Sequence, residues 1–537
     1  MKYAPRAVFS MLMLAGVCAL AAAAILAVTT ALVVAASTRD AWAILAAIAV
    51  VGMLAVVGLG VPAARRQQRK PVEGVLITGD EQPLLWVEIC IVAEGLHMWP
   101  PRELVLAPDA SVIASENRTW LGLRPGVRRL QLGEVLLAGL TERQLRAVIA
   151  HELLRFWGPS SFGRVIHRGK KIIGRVVDAV GEDSRAGRIV GRYGRVYVAV
   201  SEPVIRRHEL DADRLSANLV GNGATSAALR EVAVLSNGWD AFVDGYLAPA
   251  AAVQRRPEDV FESFAQFLGY PTRRAQLEEA VGEPQPQPTY DSHPSLADRL
   301  AAVASLPDDD TRDRSGRALD MLRDPDREIR RVHQWMFQDP DLIPATWEEI
   351  VPQAGRAAAR QGARKLVRLG HEGGLGDRLA VGDLLDIIRY ELADEMVRPL
   401  LDEGASQEVE RQMAARLVTA FLVTAAIEAG TASYRFSWAA PWQLVDGRGE
   451  VEELPRLVDA ALADPAEVCA LELWLGSHEL GLDLELGDDC GPDVPAQSLP
   501  GVPAQSLPGA PAQSMREDPR ADSVEDLMEG PRPILVP

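Results

Sequence analysis

The sequence predicts a mostly helical chain with a small β-sheet, placed behind a two-helix transmembrane hairpin and followed by an α-rich C-terminal domain and a disordered tail. Three observations lead there: two long uncharged runs at the N-terminus, apolar residues at helical spacing over most of the remainder with a few strand-like alternations, and a Pro/Gly/Gln/Ser repeat near the C-terminus. With 48% apolar and 24% charged residues, the 537-residue chain has ample material for a packed core, and wholesale disorder is excluded. The net charge of −18 argues against a general nucleic-acid binder. Cys18, Cys90, Cys469 and Cys490 are too far apart for a CxxC metal site or a disulfide framework, and read as reduced thiols. Arginines number 51 against five lysines, so a single arginine is weak evidence of function by itself.

The uncharged runs cover 7–36 and 41–64, and either exceeds the roughly 20 residues that cross a bilayer as helix. Ser37, Thr38, Arg39 and Asp40 between them suit the tip of a hairpin spanning 1–70. Lys2 and Arg6 precede the first run, and Arg65, Arg66, Arg69 and Lys70 follow the second. Positive-inside bias then puts the N-terminus and the main domains on the cytoplasmic side of the plasma membrane. A cleaved signal peptide fits less well, because the first run is about twice the usual h-region.

Residues 71–310 read as one mixed domain. Helical spacing covers Glu81 to Leu96; Glu103–Ala107, Ser111–Ala114 and Val127–Leu132 read as strands. Thr141 with Gln144 forms a capping box that opens a helix. A long helix runs from about Arg188 to Val220 and stops at Gly221-Asn222-Gly223. The Pro/Gln stretch 284–290 and the charged stretch 307–316 mark a boundary. Residues 318–486 are largely helical, less regular from Tyr434 to Val445, and carry no recognisable chemistry. An octad beginning at Pro495 repeats at 503–510, so 487–537 is expected to be disordered and acidic.

Chemistry concentrates in three stretches. His151-Glu152-Leu153-Leu154-Arg155 lies on the capped helix, Glu209-Leu210-Asp211-Ala212-Asp213 on the long one, and His293-Pro294-Ser295 precedes Arg299. A zinc-binding HExxH helix sets two histidines four residues apart on one face, with the glutamate acting on the metal-bound water. Here the second position is Arg155.

In this order, behind a membrane hairpin, the motifs resemble the HtpX-like membrane zinc metallopeptidases, relatives of the CaaX prenyl protease, over about 72–300. The resemblance implies an α+β zincin-like metallopeptidase domain, a zinc cofactor, and a protein or peptide substrate cleaved at the membrane. It implies His151 and Glu209 as zinc ligands, Glu152 as general base, and Asp213 as the acid that orients His151. His293 would steady the substrate carbonyl, with Arg299 as its structural companion. The strand from Arg128 to Leu137, with Arg128, Arg129, Leu130, Gln131 and Leu132, would be the edge that receives the substrate. An ordinary sheet edge and a helix-capping histidine are the plain alternatives for that strand and for His293.

Arg155 departs from this pattern. A guanidinium has no lone pair for a metal and carries a permanent charge where the ion would sit. His208 lies about 100° around its helix from Glu209 and should face elsewhere. His167 could fold back, whereas His97, His333, His371 and His478 have no motif context. Pairing of Arg155 with Glu152 or Glu209 could stand in for the ion. Two functions therefore remain open: a metalloendopeptidase of membrane or misfolded proteins with impaired activity, and a non-catalytic membrane-anchored scaffold or pseudoprotease.

Overall fold

The computed structural model describes residues 74–119, 124–157, 185–282, 294–306, 313–401, 405–439 and 442–487. The two uncharged runs, His167, His293 and residues 488–537 lie outside these. Among the described residues no helix is long and apolar enough to cross a membrane. The described residues are mostly helical, with small sheets, and they divide into two compact units. One holds the residues up to Ser236 and Val281–Val332; the other holds Asn237–Ala280 and the chain from His333 onward.

The first unit is built on a four-stranded sheet. Strands β1 (Val75–Ile77) and β2 (Glu103–Ala107) pair antiparallel, β2 and β4 (Arg124–Gly133) parallel, and β4 and β3 (Val112–Thr119) antiparallel. The spatial order is β1-β2-β4-β3, so β4 is an interior strand. This corrects the expectation that Arg128–Leu132 is an exposed edge: both sides of that strand are already bonded, and the long edge is β3. Leu130 and Leu132 alternate inward, fully buried, while Arg129 is held by Glu103 at 2.6 Å and Gln131 by Asp109 at 3.0 Å. The strand also ends earlier than the expected Leu137, at Gly133. Gly133 meets the Asp109 carbonyl so closely that a Cβ would sit 2.2 Å from it, and residues 134–139 turn into helix α2 (Glu134–Gly139).

Helix α1 (Pro83–Gly95) starts at a proline, which suits the first helical position, and buries Leu85, Ile89 and Val92. It packs on α3 (Glu142–Trp157), which in turn packs on α4 (Arg185–Val220). The capping box that opens α3 is present: the Thr141 N–H donates to Gln144 Oε1 at 3.0 Å and the Gln144 N–H to Thr141 Oγ1 at 3.2 Å. Residues 313–318 reinforce that end. Thr141 Oγ1 donates to Asp313 at 2.6 Å, the Glu142 N–H to the Gly316 carbonyl at 2.9 Å, and the Arg143 N–H to Ser315 Oγ at 3.1 Å. Thr141→Ala should therefore lower stability by about 1 kcal/mol, as a shift in the urea midpoint at unchanged slope.

In the second unit the helices Trp347–Glu372 and Gln407–Glu428 lie against each other around Leu366, Val418, Phe421 and Leu422. The irregular segment expected at 434–445 is a hairpin, Ala432–Arg435 with Gln443–Asp446. Asn237–Ala280 joins this unit through aromatic packing. Trp239 stacks on Phe261 at 6.0 Å, Phe242 meets Trp347 at 5.9 Å, and the Tyr246 hydroxyl donates to the Ser437 carbonyl at 2.7 Å. Strand Glu485–Gly487 pairs with Arg378–Ala380, so Gly487 belongs to the unit rather than the tail. The Tyr434 ring covers Gly355 so closely that a Cβ there would lie 2.3 Å from it. Gly355→Ala should cost about 1–3 kcal/mol by overpacking, read as a lower thermal midpoint of the full-length chain.

Candidate functional site

The motif residues meet where α3 crosses α4. Two contacts fix that crossing away from the charges: Ser216 Oγ, buried on α4, donates to the Ala147 carbonyl at 2.7 Å, and Arg143 Nε donates to the Val220 carbonyl at 3.0 Å. His151 projects from α3 with Arg155 one turn later. Glu209 and Asp213, also four residues apart, face them from α4. Arg299, on the helix Leu296–Ala304, reaches the same place.

Six charged side chains interlock there. His151 Nδ1 is 2.8 Å from Asp213 Oδ1, and Nε2 is 3.3 Å from Glu209 Oε2. Arg299 grips Asp213 with two hydrogen bonds, Nε to Oδ2 at 2.9 Å and Nη2 to Oδ1 at 2.8 Å. Arg155 turns back on its own helix: Nη2 donates to Glu152 Oε2 at 3.1 Å and Nε lies 3.0 Å from Oε1. Its Nη1 stands 3.7 Å from Glu209 Oε1, so one guanidinium lies against both carboxylates. The carbonyl of Arg155 meets His208 Nε2 at 3.0 Å, which occupies that histidine away from Glu209.

Burial sharpens the electrostatics. Asp213 is fully buried. Burial alone would raise its pKa, but the bonds from Arg299 and His151 outweigh that and hold it below the ordinary value. For His151, burial and the Arg299 charge both pull downward. The bonds to Asp213 and Glu209 prevail, leaving the pKa raised. Burial opposes the Arg155 charge, yet Glu152 and Glu209 hold its pKa above the usual value.

This donor set does not fit zinc. His151 and Glu209 stand together, Nε2 3.3 Å from Oε2, but only these two donors converge where a zincin needs three. Arg155 offers no lone pair at the second histidine's place, and its cation already lies between Glu152 and Glu209. Among the described residues no group of three His, Cys, Asp or Glu is arranged to hold a metal ion.

Of the residues singled out in the sequence, His151, Glu152, Arg155, Glu209, Asp213 and Arg299 come together. Arg128, Arg129, Leu130, Gln131 and Leu132 form the interior strand instead of an edge. Arg299 stands on Asp213 and 3.4 Å from both ring nitrogens of His151, a placement that no helical spacing in the sequence indicates. No curated protein and no solved structure matches the chain. Residues 121–306 match the model of Peptidase family M48. That stretch includes α3, α4 and Arg299, so the part of the chain that carries this site is similar to the M48 peptidases, consistent with the resemblance to HtpX-like metallopeptidases.

Proposed function

We propose that this chain is a membrane-anchored M48-family protein that binds polypeptide without hydrolysing it, a pseudoprotease whose site is neutralised by arginine in place of zinc. The observation that carries this reading is the Arg155 guanidinium lying against both Glu152 and Glu209, the pair that a catalytic ion and its water would need. Three carboxylates face two guanidiniums and His151, whose proton affinity is raised, so the buried cluster offsets most of its charge without an ion. The long sheet edge β3 is available to receive an extended segment by strand addition. The two uncharged runs and the basic residues after them support anchoring with the M48 domain on the cytoplasmic face.

The test uses the full-length chain purified in detergent with zinc supplied. The expected result is no retained zinc after gel filtration, no cleavage of casein, and binding of labelled unfolded casein by fluorescence anisotropy. One zinc per chain, with cleavage that Glu152→Gln abolishes, would establish an active metallopeptidase instead.

A further inference from the structure

Helix α1 is apolar on both faces. Leu85, Ile89, Val92 and Ala93 are buried inside the first unit, yet Leu84, Val87 and Ile91, spaced i, i+3 and i+7 on the other side, are 60%, 53% and 53% exposed. A helix apolar all round normally has both sides covered. Just beyond its end Trp99 is 80% exposed, the largest exposure among the prominent apolar side chains of the described residues. Alongside, Gly95 lies against Leu219 of α4, itself 38% exposed, which extends the apolar surface across two helices.

We infer that the outer face of α1, with Trp99, lies in the headgroup region of the bilayer and seats the M48 domain against the membrane. The occupant follows from where the undescribed chain leads. The second uncharged run ends at residue 64 and α1 begins at Pro83, so the connecting stretch, even fully extended, spans at most about 65 Å. A face tethered that closely meets the lipid surface at high effective concentration. Its composition suits an in-plane helix: Leu, Val and Ile toward the acyl boundary, and a tryptophan at the headgroups. Cations flank it on both sides. Arg65, Arg66, Arg69 and Lys70 precede it in sequence, exposed Arg102 follows Trp99, and Arg128 donates to the Trp99 carbonyl at 3.3 Å. Anionic lipid headgroups complement that charge. The exposed Glu94 closes the same stripe one turn beyond Ile91, and the cations at Arg102 and Arg128 near Trp99 offset it.

The inference rests on the anchored reading, and the experiment separates the two. Full-length protein, with its four native cysteines replaced by alanine, carries one nitroxide label at Val87→Cys or Ile91→Cys, or at Asp326→Cys as a control. It is reconstituted in phosphatidylcholine/phosphatidylglycerol vesicles. Resistance to alkaline carbonate extraction reports anchoring. For anchored protein, the labels at 87 and 91 should become accessible to dissolved oxygen and shielded from an aqueous nickel chelate, while the label at 326 stays accessible to the chelate. Anchored protein with labels at 87 and 91 open to the chelate overturns the inference and leaves anchoring intact. Spin–spin broadening between two labelled copies would overturn it in favour of a self-interface, and carbonate extraction would overturn both readings.

Discussion

Replacing Arg155 by histidine is expected to give a protein that carries one zinc per chain through gel filtration, where the unaltered chain carries none. The substitution puts an imidazole four residues after His151 on the same helix face, opposite Glu209, and completes the His₂Glu donor set. It also removes the cation from Glu152. Even an outer partner of a metal site alters affinity by about 10–100-fold, so restoring an inner donor should exceed that range. Zinc content by mass spectrometry and casein cleavage, each with and without Glu152→Gln, measure the outcome. If Arg155→His bound no more zinc than the unaltered protein, His151 and Glu209 would not be poised as ligands at all. Arg155→Ala gives the contrast: it leaves Glu152 and Glu209 without their shared cation, and should cost about 1–3 kcal/mol after discounting for the guanidinium's 25% exposure.

The second large effect is on stability. Asp213→Ala strips a fully buried carboxylate from Arg299 and from His151 Nδ1, leaving the Arg299 guanidinium without the carboxylate it grips, a cost of about 3–5 kcal/mol. For a unit of this size that lowers the thermal midpoint by about 10 °C. Asp213→Asn combined with Arg299→Met should cost less than the sum of the single changes, because both singles break the same pair. The pH dependence has two signs. Asp213 has a depressed pKa, so its contribution is present above the ordinary value of 3.8 and is lost as pH falls through the lower folded value. His151 has a raised pKa, so its contribution is full below 6.5 and is lost as pH rises through the higher folded value. The cluster should stabilise the fold most between those limits, by urea midpoints measured across pH.

Local signals made much of the first unit legible. The Thr141–Gln144 capping box, the alternation of Leu130 and Leu132 against Arg129 and Gln131, and the stop at Gly221 each act within a few residues. Pairing order is a different matter. Nothing within β4 says that β2 and β3 flank it, because the partners lie up to 26 residues away and the strand's own alternation is the same in an edge and an interior position. The end of β4 is equally hidden from the sequence: Val135, Leu136 and Leu137 are apolar in either conformation, and the close approach of Asp109 at Gly133 decides between them. At the site, the spacing of His151 to Arg155 and of Glu209 to Asp213 predicted which residues share a face. It could not predict that Arg299 would close on Asp213, because that contact depends on how a third helix docks. The allegiance of Asn237–Ala280 to the second unit was hidden too, since its aromatic partners Trp347 and Trp438 lie about a hundred residues or more downstream.

The bond between Thr141 and Asp313 joins residues 172 positions apart. A ribosome adding about 5–20 residues per second takes roughly 10–30 s to cover that interval. Through that time the start of α3 lacks its outer clasp, and Asp213 has emerged well before the Arg299 that will pair with it. The charged cluster can therefore close only late in synthesis, after any N-terminal insertion into the bilayer, and an exposed, incompletely paired α3–α4 is the state in which a nascent chain is most open to chaperones and proteases.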